Sequence, residues 1–319
     1  MYKYKEMLVF NVESSLHAGS GSSLGHIDNP IQRETSTKNP IVQGNGVKGA
    51  LREFYEKKFP EDKENKENKE NKSKIKALFG GEDGNDGAGA VAFGEAKLLF
   101  FPVRSLTHIF AYITCPTVIA RFQRDLQALG KSPLKNKSDG KLWHPCTDDN
   151  SFQAHSTLIN DLPNKTLILE ELPFKYSENQ DTDECLNELA SMLFPCSDEY
   201  KPFKENFIKR AVILSDYNYF YFVQYATEIE PHNRIDETGT VDEKTGVWYT
   251  EYLPSESILY SSLFIGKSHV QNNAFENEEK VKEYIQHLDN QRTWLGGDRT
   301  TGKGRVMMHL LKKKGGSIQ

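Results

Sequence analysis

The sequence predicts an α+β chain built on the ferredoxin-like, split βαβ pattern. Three observations carry that expectation. Apolar, β-rich segments and helix-period segments follow one another as strand, helix, strand, strand, helix over residues 8–129. The 319 residues are 37% hydrophobic and 27% charged, with a mean hydropathy of -0.63, which is the balance of a water-soluble globular protein with a substantial core. No segment approaches the roughly 18 apolar residues of a transmembrane helix, which excludes a helical membrane protein.

Residues 8–13 read as the first strand, and the Gly/Ser-rich residues 17–25 as a loop. Residues 47–59 carry Val47, Leu51 and Phe54 or Tyr55 at helical spacing, and Pro60 ends that helix. The tract Glu64-Asn65-Lys66 repeats twice more through Lys72, and a glycine-rich acidic stretch follows, so residues 61–90 are expected to form a disordered, Gly-rich insertion. Residues 91–103 and 109–114 alternate as strands, and 118–129 have helical periodicity. Residues 131–205 read as a variable insertion region holding a strand at 167–172 and a helix at 184–193. Residues 211–227 and 247–252 are expected to be strands flanking the acidic link 228–246, a projecting hairpin. A strand at 257–265, a helix at 276–288, the glycine loop 296–304 and a strand at 305–311 complete the chain.

The cysteines Cys115, Cys146, Cys185 and Cys196 are widely spaced and form no CxxC, which suits reduced thiols in the cytoplasm. The short apolar run at 7–12 has no small-residue cleavage site after it, so no secretory signal is expected. Charge is unevenly placed. Residues 228–256 hold eight acids against two bases (net -6) and residues 170–205 ten against three (net -7); the total is -5, so the remainder sums to +8. Such a body can follow a polyanion, because local potential governs that contact.

Among motifs, residues 297–304 match GxxxxGK, but Gly304 stands where a Mg²⁺-binding hydroxyl is required and little chain follows, which excludes a P-loop NTPase. The loop's amides with Arg299, Lys303 and Arg305 still suit phosphates of a strand. Gly44, Gly46 and Gly49 with Lys48 open the first helix, a second phosphate seat. His17, His144, His155, Cys146, Cys185 and Cys196 have no metal-site spacing, and no GxSxG elbow is present.

Taken with their order, these motifs resemble the RAMP superfamily of CRISPR effector proteins, and within it the backbone subunit of the type III-B, Cmr-type complex. The residues concerned are 16–21 (Leu-His-Ala-Gly-Ser-Gly), 25–34 (Gly-His-Ile-Asp-Asn-Pro-Ile-Gln-Arg-Glu), 40–52, 233–241, 251–254 and 296–306. One departure is visible: Gly44-Asn45-Gly46-Val47-Lys48-Gly49 stands where the family reads Gly-Ser-Ser-Leu-Lys-Gly, so amide contacts replace hydroxyl ones.

The resemblance implies a single RAMP domain over 1–319 with an RRM-related, ferredoxin-like palm and a thumb hairpin over 228–256. Arg234, Ile235, Asp236, Val247 and Trp248 would lie on the thumb. It implies binding of a CRISPR guide RNA and a complementary target RNA, head-to-tail stacking of copies, contact with other Cmr-type subunits, and no membrane partner. Asp28 matches the aspartate required for metal-dependent target cleavage, which makes it the catalytic residue and a ligand for Mg²⁺, with Mn²⁺ as the alternative. His17, Gly19, Gly21, Gly44, Asn45, Gly46, Lys48, Arg52, Arg299, Lys303 and Arg305 are the expected RNA-binding residues. Read without the family, Asp28 is first of all a loop carboxylate capping its own backbone. Three alternatives stay open: a non-catalytic RNA scaffold, an endonuclease that processes CRISPR repeat RNA, and a metabolic phosphate-binding enzyme.

Overall fold

Strand β1 (Tyr4–Val12) runs through the middle of the molecule, with Met7, Leu8, Val9 and Phe10 all fully buried. Its side chains point alternately to two covered faces, so the sequence shows an unbroken apolar run rather than an alternation. The computed structural model describes residues 2–59, 66–81, 87–235, 237, 239–240, 246–270 and 274–311, with the backbone alone for 66–69.

After β1 come β2 (Ile41–Val42), α1 (Gly44–Lys58) and α2 (Lys66–Phe79), then β3 (Val91–Phe93), β4 (Ala96–Ser105), β5 (Ile109–Thr114) and α3 (Pro116–Ala128). The middle third supplies β6 (Ser151–Ala154), α4 (Ser156–Asp161), β7 (Thr166–Leu169), β8 (Leu172–Tyr176), α5 (Thr182–Leu193) and α6 (Lys201–Arg210). The last third holds β9 (Ala211–Ile213), α7 (Asp216–Tyr225), β10 (Glu228–Asn233), β11 (Val247–Tyr252), β12 (Ile258–Ile265), α8 (Glu278–Ile285), β13 (Gln291–Trp294) and β14 (Arg305–Leu310).

Among the described residues twelve strands form one sheet in the order β13-β14-β1-β12-β4-β5-β9-β6-β8-β7, with β2 on β4 and β3 on β12. From β13 to β4 every pairing is antiparallel. β7 returns to β4, where Ser105 faces Leu169, so the β4-to-β7 half closes on itself like a barrel. Helices cover both faces around β1. Lys5 donates to the Ala128 carbonyl of α3 and Asn11 to the Leu193 carbonyl of α5, whereas Tyr4 on the opposite face donates to Glu279 of α8. α1 joins α8 on that second face, where the Tyr55 and Tyr284 rings stack at 5.2 Å and the Tyr55 hydroxyl donates to the Tyr284 carbonyl at 2.9 Å.

The structure corrects several expectations. Residues 211–227 are not one strand: after β9 the chain turns into α7, because the Ser215 hydroxyl accepts from the Asn218 amide and caps a helix whose aromatic residues had argued for β structure. The insertion at 61–90 is not structureless, since α2 occupies 66–79 and buries Ile75, Ala77, Leu78 and Phe79. The strand expected at 167–172 is the hairpin β7–β8, which turns at Glu170 with φ +51°. Most of 131–205 is integral to the sheet and its covering helices rather than appended to it.

Candidate nucleic-acid interface

Three chain segments meet where β1 ends: residues 13–34, β11 of the β10–β11 hairpin, and the glycine loop that leads into β14. Leu16 and Leu253 exchange backbone hydrogen bonds at 2.8 and 2.9 Å, the Gly304 amide donates to the Ser15 carbonyl at 2.8 Å, and the Gly297 amide donates to the His17 carbonyl at 2.8 Å. Gly296 lies beneath that same carbonyl with φ +73°, and a Cβ there would collide with the oxygen, so only glycine fits. His17 donates from Nδ1 to the Glu251 carbonyl at 2.8 Å, and its ring meets the Tyr252 ring edge-on at 5.6 Å. Gly19 packs over His17, whose Nε2 would stand 2.7 Å from a Cβ at that position; Gly21, with φ +102°, faces open space.

Asp28 is tied to the hairpin. The Tyr249 amide donates to Asp28 Oδ2 at 2.7 Å, and the Asp28 and Asn29 amides both donate to the Tyr249 carbonyl at 3.1 Å. Its other oxygen, Oδ1, has no hydrogen-bond partner among the described residues. The segment that follows is anchored by Glu251, a carboxylate only 3% exposed. Glu251 Oε1 accepts from Arg33 and, at 2.9 Å, from Thr227, while Oε2 accepts from the Ile31 amide at 3.0 Å. Arg33 also donates to the Lys38 and Val223 carbonyls at 2.9 and 2.8 Å, which joins this segment to α7. Burial pushes Glu34 up, but hydrogen bonds from Arg121 and Thr37 hold it below the ordinary carboxylate value.

The start of α1 is uncapped: Gln43 makes no side-chain capping bond. The Gly46 amide donates to Asn45 Oδ1 at 2.8 Å, while the amides of Gly44 and Asn45 have no acceptor among the described residues. A Cβ on Gly44 would stand 2.8 Å from the Phe93 carbonyl oxygen, so glycine lets the helix start close to the sheet. Lys48 projects into solvent from the first turns with no ion pair among the described residues. Arg52 instead reaches Glu56 at 3.0 Å along the helix.

The three cations of the glycine loop are already paired. Arg299 binds Glu53 of α1, Lys303 binds Glu230 of β10, and Arg305 binds Glu13 at 2.8 Å. They clamp the loop to helix, hairpin and first strand, a role that spacing alone did not reveal. Arg299 holds the Glu53 carboxyl below its ordinary value, with Lys57 adding to the effect. Lys303 also lies over the Tyr252 ring, 4.3 Å from its centroid. The Tyr252 hydroxyl donates to Asp298 at 2.9 Å; burial, then that carboxylate, pushes it up, so it stays protonated.

On the hairpin, Ile235 and Val247 are exposed, and Trp248 stacks on His232 with ring centroids 5.8 Å apart. Arg234 is exposed at the end of β10, and Asp236 lies outside the described residues. The acids Glu13, Glu53 and Glu230 are site residues that sequence reasoning missed; Glu251, Tyr252 and Asp298 lie inside the segments 251–254 and 296–306 but carry no individual role in the sequence reading. Glu251 left a further signal, a carboxylate inside the strand run Val247–Tyr252 that faces core neighbours.

A resident metal centre does not fit this donor set, since no three His, Cys, Asp or Glu side chains cluster to hold an ion among the described residues. A single open carboxylate oxygen, as on Asp28, fits the other mode of Mg²⁺ binding, in which one carboxylate shares the ion with substrate phosphates and water.

The chain matches the RAMP superfamily over residues 9–307. It is 33% identical over 297 residues to a Pyrococcus furiosus protein named CRISPR system Cmr endoribonuclease Cmr4, covering 92% of this chain and 91% of that one. It is 22% identical over 325 residues to the CMR subunit Cmr4 of Saccharolobus solfataricus, covering 97% of each. In three dimensions it is similar to oligomeric Cmr4 from Pyrococcus furiosus, with a TM-score of 0.69 and 27% identity over 97% of this chain and 98% of that one. A chain of the type III-B Cmr-beta complex bound to cognate target RNA shares the fold at a TM-score of 0.69 and 19% identity, over 97% and 98% of the two chains.

Proposed function

The chain belongs to the RAMP superfamily, and on that premise we propose that it is the repeating, guide-RNA-binding subunit of a type III-B, Cmr-type effector complex, and that it cuts complementary target RNA. The observation that carries the reading is the placement of Asp28: one carboxylate oxygen is fixed by the base of the hairpin and the other is open beside it. Support also comes from the named endoribonuclease with which this chain shares a third of its residues.

The palm of this reading is the four-stranded antiparallel set β14-β1-β12-β4, linked as β1-α1-β4 and β12-α8-β14 with α1 and α8 on one face, which is the ferredoxin-like order. The β10–β11 hairpin is the thumb. The open amides of Gly44 and Asn45, with Lys48, seat guide phosphates by the anion preference of a helix start. The hairpin parts the duplex so that a splayed target nucleotide can align its 2′-hydroxyl with the adjacent phosphate. Attack of that oxygen on phosphorus expels the 5′-oxygen of the next nucleotide, giving a 2′,3′-cyclic phosphate and a 5′-hydroxyl. Asp28 Oδ1 would share a divalent ion, Mg²⁺ by preference, with the RNA phosphates, and the ion would supply compensation for the charge that develops.

Among the described residues no helix is long and apolar enough to cross a membrane; we place the assembly in the cytoplasm. The competing reading, an RNA scaffold without catalysis, has an observation of its own, because the Asp28–Tyr249 hydrogen bond is also a structural cap. The deciding experiment is cleavage of a guide-complementary RNA by complexes reconstituted with the wild-type chain or Asp28→Asn, in Mg²⁺ and in EDTA, at nucleotide resolution. Regularly spaced, metal-dependent cuts that vanish in the variant while assembly persists support the nuclease. Equal cutting by both places the chemistry elsewhere.

A further inference from the structure

Helix α7 carries Tyr217, Tyr221 and Tyr225 at successive turns, and they are 71%, 45% and 66% exposed. Three large aromatic side chains left in water on one helical stripe are unusual unless something covers them. Tyr221 and Tyr225 stand with ring centroids 5.1 Å apart and, with Leu172 of β8, wall a groove of about 550 Å³ floored by Phe222 and Ala226. Its rim is acidic. Glu170 is spent on Arg104 at 2.6 Å, but its neighbour Glu171 is exposed and has no ion-pair partner among the described residues. From residue 211 to 233 the chain contains no lysine or arginine while it contains Asp216, Glu228 and Glu230. A polyanion is therefore disfavoured here, whereas a cationic side chain laid over the exposed tyrosine rings beside a free carboxylate is favoured.

A complementary surface exists on the same chain. At the start of helix α6, Lys-Pro-Phe-Lys-Glu-Asn-Phe-Ile-Lys-Arg, Phe203 is 40% exposed between Lys201 and Lys204. Neither lysine has an ion pair among the described residues. Phe203 lines a different groove, which shares no residue with the tyrosine-lined one, so the two surfaces can serve different neighbours at once. An acidic-aromatic groove and an apolar knob flanked by two lysines without ion pairs, at separate places on one chain, suit a heterologous, head-to-tail contact, the kind that propagates.

We propose that the tyrosine-lined groove at the C-terminal half of α7 is the docking face for a second copy of this chain, which enters it with the Lys201-Phe203-Lys204 start of its α6. The proposal rests on the reading of the chain as a repeating subunit and names the surface through which it repeats. Tyrosine and phenylalanine are enriched at the centre of protein interfaces, and tyrosine among the residues that carry most of the binding energy.

Sedimentation velocity of the RNA-free chain over a concentration series tests it. The wild type is expected to self-associate. Tyr221→Ser/Tyr225→Ser, Glu171→Lys and Lys201→Glu/Lys204→Glu should each weaken association about tenfold or more. All these side chains are wholly or partly exposed, and circular dichroism checks the fold of each variant. Mixing Glu171→Lys with Lys201→Glu/Lys204→Glu should restore association, since the reversed charges then face one another. A wild type that stays monomeric to about 100 μM, variants that associate like the wild type, or no rescue on mixing would overturn the proposal. So would tyrosine variants that lose RNA affinity while associating normally, which would make the groove an RNA platform. The functional reading is scored apart: guide-RNA binding by the dissociated variants probes the palm, and its absence with the association results intact would sink that reading and leave this one standing.

Discussion

Removing the buried carboxylate of Glu251 should unfasten the Asp28 segment before any RNA is involved. Glu251 is 3% exposed and takes three hydrogen bonds, from Arg33, Thr227 and the Ile31 amide. Glu251→Ala leaves the Arg33 guanidinium, on a side chain 16% exposed, without its counter-charge, and breaking one side of a buried pair costs about 3–5 kcal/mol. Glu251→Gln keeps the shape and one acceptor but loses the charge-assisted part, about 2 kcal/mol. That smaller loss is already a roughly 30-fold change in the folding constant. Urea unfolding followed by far-ultraviolet circular dichroism measures both, and a cycle with Arg33→Met should return a coupling of about 1–3 kcal/mol. If Glu251→Ala unfolds within 1 kcal/mol of the wild type, the pair is no more than a screened surface contact and the anchoring argument fails.

Three further outcomes are expected. Lys48→Ala should weaken RNA binding and reduce the salt slope by about 0.7, the loss of one phosphate contact on a single strand; an unchanged slope removes Lys48 from the interface. Gly296→Ala should destabilise the protein by about 2–3 kcal/mol, roughly 1–2 from the left-handed backbone and about 1 from the strained Gly297–His17 hydrogen bond, and a melting temperature equal to the wild type would contradict that. Because Arg121 and Thr37 outweigh burial and hold Glu34 below the ordinary glutamate value of 4.5, its contribution to stability is complete above pH 4.5 and disappears as pH falls through the lower folded-state value. Arg121→Gln should therefore flatten the acid limb of the stability profile, and a limb of unchanged steepness would show that other carboxylates dominate it.

The sequence was legible where local pattern and tertiary environment agree. β1, α1, α3 and β12 announce themselves because each buries one continuous stripe or run, but the order of elements over residues 8–129 did not foretell that β1 pairs with β12 and β14 from the far end of the chain. The failures have physical causes. In α7, aromatic residues that favour strands were overruled by a capping serine and by helix-spaced burial of Tyr219, Phe222 and Val223. In α2, the polar repeat masked an apolar end at Ile75–Phe79 that docks against α1. At the site, glycines and Asp28 were visible as motifs, but the acids opposite Arg299, Lys303 and Arg305 were not. Glu53, Glu230 and Glu13 are separated from their partners by 246, 73 and 292 positions, and no local pattern predicts a pair at such range.

The pairing of β14 with β1 joins residues 306–310 to residues 8–12, and this sets a clock on biosynthesis. A ribosome adding about 5–20 residues per second needs roughly 15–60 s after β1 emerges before β14 is available. Until then the glycine loop that receives the His17 carbonyl and the cations that fasten the hairpin do not exist. A nascent or prematurely terminated chain thus cannot present the assembled pocket to RNA, so a growing filament would incorporate only subunits whose translation has run past the closing strand.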